Sequence, residues 1–328
     1  MNRNRFNFTQ PYWEFALPLL SWIFLLPLLV SSSGQSDIEA SSSGFMNELI
    51  PYFSTNVGLY ILASVSVMLL SWSIGSAVSN HELLRKRDFL PAGFAALFGS
   101  LGVLLFGYSL SYLAVFFYIM AINSLMHVKR ESKSFGQIFN TGFLLTAGAL
   151  MDARLWLAFP FIFFSLLSLR KLAIRDLFIL VVGVVNVLSL ALGVYFVYGG
   201  VLPNWEFLCS SGEYSPESYS VILIHIARAA SGLILLVGVL ATERYIAVLS
   251  NRAKYRFRIL TYVTLLIGML SYVWSYYSDQ HLEFSFFIAP ASMAATIYAA
   301  SIKNRPLRVL FQLCLLALIG VLVMLFFK

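Results

Sequence analysis

The sequence predicts an all-α fold: a polytopic, integral membrane helical bundle of about eleven transmembrane helices, with the N-terminus cytoplasmic and the C-terminus outside. Composition, block length and charge placement each point there. The chain is 59% hydrophobic and 11% charged over 328 residues, whereas a soluble domain carries about 25% charged residues. Its apolar residues fall in blocks of about 20, the length that crosses a bilayer as a helix, rather than in amphipathic stripes. Its basic residues gather at alternate ends of those blocks. No stretch is left over for a soluble domain, so residues 1–328 read as a single transmembrane domain.

The first block, 12–31, follows Arg3 and Arg5 and contains Pro18 and Pro27. Its length and prolines favour an uncleaved helix over a signal peptide. The second, 54–78, is followed by Arg85, Lys86 and Arg87. Blocks 89–106 and 109–127 form the next pair, and Lys129, Arg130 and Lys133 follow them. Blocks 135–151 and 155–169 are short and joined by a turn holding Asp152 and Arg154; Arg170, Lys171 and Arg175 come next. Blocks 177–198 and 220–241 precede Arg244, Arg252, Lys254, Arg256 and Arg258. Blocks 259–277 and 284–302 precede Lys303, Arg305 and Arg308, and 309–327 is the last. Eleven crossings put 19 of the 22 Lys and Arg on one side, and the positive-inside bias makes that side cytoplasmic.

The other side carries Asp37, Glu39, Glu48, Asp152, Glu206, Glu213, Glu217, Asp279 and Glu283, against Arg154, Arg228 and Lys328 alone. The net charge of +7 is therefore an orientation signal, and no nucleic-acid partner is expected. Two outer segments, 31–53 and 199–219, join Ser/Gly-rich parts to aromatic-bearing amphipathic parts, which suits them to lie along the membrane surface. Cys209 and Cys314 fall in a loop and inside an apolar block, and no disulfide between them is expected.

Ionisable groups near membrane depth are costly and point to function by default. The outer ends of the blocks collect Asp152, Arg154, His225, Arg228 and His281. His225 and Arg228 share a helix face by their i, i+3 spacing. Two readings stand for Arg228, about two turns inside its block. It snorkels or pairs with an acid such as Asp152, or it joins Arg154 in holding a phosphate with its forked donors. Asp37, Glu39 and Glu48 are solvated loop acids, or one of them is a general base. His225 and His281 with Asp279 or Glu283 lack a metal-binding spacing, so no metal is expected, and no cofactor. His81 and His127, at cytoplasmic ends, are expected to be solvated. Asp152 and Arg154 are expected at the outer tip of a helical hairpin, where water keeps their cost small. No P-loop, nucleophile elbow or GxGxxG occurs.

From "LYILASVSVMLLSWSIGSAVSNHELLRKRDFLPAGFAALFGSL" through "GFLLTAGALMDARLWLAFPFIFFSLLSLRK" to "IRDLFILVVGVVNVLSLALGVYFVYG", roughly residues 55–200, the chain resembles a family of polytopic membrane proteins from Bacteroidota. No activity carries over from it, and it implies a bacterial inner membrane. More distantly, the order of elements looks like the GT-C fold membrane glycosyltransferases: a first helix, an outer loop with a catalytic acid, a helix ending in basic residues, then a hairpin with an Arg before a Pro. Here Asp37, Glu39 and Glu48 stand in the loop, "LLRKRD" ends the helix, and Arg154 precedes Pro160 by six residues, where that fold has the two adjacent. The likeness implies a polyprenyl-phosphate-linked substrate, an acid of residues 37–48 as base, and Asp152 orienting Arg154. The rival expectations are a non-catalytic membrane subunit of a cell-envelope assembly, with membrane-protein partners beside the membrane lipids, and, third, a transporter or lipid flippase.

Overall fold

A computed structural model describes residues 18–19, 21–23, 25–26, 56–81, 83, 89–106, 108–128, 134–169, 174–197, 245–246, 251–277 and 285–301. Among them 93% are helical and none lies in a strand, so the all-α expectation holds. The helices are α1 (Asn56–Asn80), α2 (Leu90–Phe106), α3 (Ser111–Met126), α4 (Phe135–Met151), α5 (Ala158–Leu169), α6 (Ile174–Val197), α7 (Asn251–Arg258), α8 (Thr264–Tyr277) and α9 (Ser285–Ser301). A 3-10 turn, Ala153–Leu157, leads into α5, and a π-helical turn, Ile259–Val263, joins α7 to α8. Among the described residues two stretches are long and apolar enough to cross a membrane: Tyr60–Asn80 in α1 and Ile174–Val194 in α6.

Helix α3 sits at the centre. It packs on α1, α4 and α9, while α2 lies against α1 and α9. Its side chains are buried along most of its length, with Tyr112, Tyr118, Ile119 and Ile122 at 1% exposure or less. An all-round apolar helix is what a central position requires. Helix α1 brings the buried serines Ser64, Ser66, Ser71, Ser73 and Ser76 to this core. Ser71 and Ser73 satisfy themselves by donating to Val67 O and Leu70 O one turn back, and Ser66 Oγ bonds Tyr108 OH at 2.8 Å. Such bonds let the hydroxyls of Ser66, Ser71 and Ser73 enter an apolar interior with a partner.

Helix α6 is different. It packs closely on α4, and the contact is backbone to backbone. A Cβ on Gly183 would lie 2.5 Å from Phe139 O and 3.0 Å from Phe143 N, and one on Gly142 would strike Leu180 O. Only glycine permits that approach. Away from that contact many apolar side chains of α6 are exposed: Ile174, Phe178, Val185, Leu190 and Val194 are 88%, 66%, 53%, 59% and 48% accessible.

The basic residues 252–258, which the sequence places between blocks 220–241 and 259–277, form α7, and this runs through the π turn into α8 without a break. One extra residue in a turn reorients the two halves while keeping the backbone bonded.

Candidate functional site

The site forms where α4 ends. Asp152 leaves the helix in an extended conformation, φ −139° and ψ 109°, and its carboxylate caps the 3-10 turn by accepting from Arg154 N at 3.0 Å. Pro160 has no N–H to give Trp156 O, and its ring would crowd that carbonyl, so a helix running through from α4 would be strained there. The chain instead makes the 3-10 turn and restarts at Ala158, with Pro160 in the first turn of α5, where proline is tolerated.

The cap turns Arg154 back on Asp152. Arg154 Nε donates to Asp152 Oδ1 at 2.8 Å and Nη2 to Oδ2 at 2.7 Å, a two-pronged ion pair of the geometry guanidinium and carboxylate favour. Ser111, at the start of α3, completes it: its hydroxyl donates to Asp152 Oδ2 at 2.6 Å and accepts from Arg154 Nη2 at 3.0 Å. Arg154 Cζ lies 5.5 Å from the centre of the Phe286 ring of α9, within cation–π range. Four segments thus meet here: α4, the 3-10 turn, α3 and α9.

This corrects one expectation. Asp152 and Arg154 are not water-exposed at a hairpin tip; they are 7% and 8% accessible. The charges tolerate burial because each is the other's counterion and Ser111 bonds both. Burial alone pushes the Asp152 carboxyl up. The Arg154 guanidinium, with hydrogen bonds from Arg154 and Ser111, outweighs that and holds it below its ordinary value.

A second polar cluster occupies the other end of α3. His81, just past α1, donates from Nε2 to Asn123 Oδ1 at 2.9 Å. His127, just past α3, donates from Nδ1 to Asn123 O at 2.8 Å. The two rings meet with centroids 4.4 Å apart at 62°. His127 is exposed, as expected. His81 is not solvated: it is 4% accessible. Its burial, the charges of His127 and Arg256, and only partial compensation from Asn123 lower its pKa to about 4. The ring is therefore neutral at pH 7, which is what makes its burial tolerable.

Of the residues singled out in the sequence, Asp152 and Arg154 are brought together. Asp37, Glu39, Glu48, His225, Arg228 and His281 lie outside the described residues, as do both outer segments, Cys209, Cys314, Asp279 and Glu283. Among the described residues no three His, Cys, Asp or Glu side chains gather as a metal would need. Sequence reasoning missed Ser111, Phe286 and Asn123. Ser111 and Phe286 carried a topological signal, since the alternation expected from the sequence puts the starts of both their helices on the same side as the 152–154 turn.

No protein-family model, curated protein or solved structure matches the chain.

Proposed function

We propose that the chain is a multi-pass integral protein of a bacterial inner membrane, crossing about eleven times. The observation that supports this best is α6: its long apolar surface is exposed on most sides, an arrangement that water disfavours and hydrocarbon does not. The basic residues at alternate block ends add orientation, cytoplasmic for the N-terminus and outer for the C-terminus. Alkaline carbonate extraction of membranes tests the reading. Release of the chain into the soluble fraction overturns it.

Within that frame the activity we propose is a GT-C-like transfer from a polyprenyl-phosphate-linked sugar at the outer leaflet. Arg154 and Arg228 hold phosphate, an acid among Asp37, Glu39 and Glu48 acts as base, and His225 and His281 line the substrate. In support, Arg154 is held rigidly by Asp152 in a fixed orientation, as a positioned phosphate ligand has to be. Full-length protein in detergent with a labelled polyprenyl-phosphate sugar tests it. Turnover that survives Asp37→Asn, Glu39→Gln and Glu48→Gln together, and Arg228→Ala, removes this assignment.

A non-catalytic membrane subunit is the second reading, and one observation favours it. Two nitrogens of Arg154 and both oxygens of Asp152 are already taken up within the chain, which is how a structural lock is built. Purification in mild detergent then yields stoichiometric membrane-protein partners and no transfer.

A further inference from the structure

Helix α7 carries four bases, Arg252, Lys254, Arg256 and Arg258, and no acid in its 8 residues. Phe257 anchors it, fully buried, and Tyr255 packs half-buried against the same core. Arg256 is half-buried too, and its charge reaches the buried ring of His81. The other two described bases face elsewhere. Lys254 and Arg258 stand about 40° apart round the helix, and each lies about 160° from Arg256. Arg258 is exposed and Lys254 partly so. Among the described residues neither side chain has a hydrogen bond or an ion pair.

This charge placement works against the helix. Like charges at i, i+4 repel each other, bases near a helix N-terminus oppose its dipole, and so short a helix is not held by its own hydrogen bonds. An anion on the Lys254–Arg258 face relieves the conflict.

Location and sign select the anion. Helix α7 passes through the π turn into α8, so Arg258 directly precedes the apolar block 259–277. On the membrane reading above, that sets the face at the level of the headgroups. The chain's own neighbouring segments have the wrong sign to cover it. Residues 82, 84–88, 129–133, 170–173, 242–244 and 302–308, which the same reading puts on this side, hold 12 Lys and Arg against 4 Asp and Glu. Four bases with aromatics between them, at the cytoplasmic end of a membrane helix, match phosphate-bearing lipid.

We propose that the Lys254–Arg258 face of α7 binds the headgroup of an anionic phospholipid in the cytoplasmic leaflet. This rests on the membrane reading and is independent of the transferase activity.

Native mass spectrometry of the full chain, titrated in neutral detergent with phosphatidylglycerol or phosphatidylcholine, tests it by the affinity of the first lipid bound. The parent binds phosphatidylglycerol more tightly. Lys254→Gln/Arg258→Gln weakens that binding roughly fivefold per charge removed. Lys303→Gln/Arg305→Gln removes the same charge elsewhere on the same side and changes it little. The swap Lys254→Arg/Arg258→Lys keeps the charge and the affinity. Equal losses in the two neutralised variants overturn the proposal, because attraction is then diffuse. So does a parent without preference for phosphatidylglycerol. So does a Lys254→Gln/Arg258→Gln chain that binds lipid as the parent does but loses a protein that co-purifies with the parent. Carbonate extraction of membranes separates the two readings. A chain retained in the membrane but without lipid preference removes only the headgroup site; a chain released removes the membrane reading itself.

Discussion

Arg154 and Asp152, two residues apart, close on each other through both prongs of the guanidinium, at 2.8 and 2.7 Å. The pair is buried, so its halves are worth most together. Asp152→Ala leaves a buried cation and Arg154→Ala a buried carboxylate. Each is expected to lower stability by about 3–5 kcal/mol. The double variant Asp152→Ala/Arg154→Ala is expected to lose much less than the sum. Thermal unfolding in detergent of the four proteins gives the cycle, and additive losses contradict the coupling.

His81 makes stability depend on pH. Its pKa is about 4 in the folded chain and about 6.5 when unfolded. Above pH 6.5 both states are neutral there. Between 6.5 and 4 the unfolded chain binds a proton that the folded chain does not, so stability falls as pH falls. The loss from pH 6.5 to pH 5 is about 2 kcal/mol. Asp152 acts in a lower window: its depressed carboxyl adds stability above about pH 3.8 that is lost only as pH drops through its folded value. A His81→Asn variant should flatten the melting temperature between pH 7 and 5, and an unchanged slope argues against His81.

Gly183 and Gly142 set how close α4 and α6 come. Gly183→Leu has backbone in its way, at Phe139 O and Phe143 N, so the helices must separate. A loss of about 1–3 kcal/mol is expected, with faster proteolysis of α6. Gly193→Ala meets open space and is expected to leave stability within about 0.5 kcal/mol of the parent.

Orientation is open to a direct measurement. A reporter fused after Lys328 should be active on the outer side and one before Arg3 on the cytoplasmic side. A cytoplasmic reading at Lys328 sinks the eleven-crossing count.

Helices were legible because hydropathy acts locally: α4 falls where the apolar block 135–151 lies, and α5 follows the charges that interrupt it. What the charges do was not legible, because their partners are distant. Ser111 is 41 residues from Asp152, and Asn123 is 42 from His81. A histidine next to "LLRKRD" reads as part of a wet, basic end until a neighbouring helix supplies an acceptor and shuts out water. The helicity of Arg252–Arg258 was missed for a related reason: charge composition marks a boundary of the membrane, not of a helix.

The spacing of the two polar clusters on α3 has a consequence for the lipid. Ser111 and Asn123 are twelve residues apart (123 − 111), about 18 Å along a helix. An unperturbed hydrocarbon layer is about 30 Å thick. On the membrane reading proposed above, at least one of the clusters then lies within the hydrocarbon, and the lipid around α3 is spared contact with its polar groups only because they are bonded to one another inside the chain.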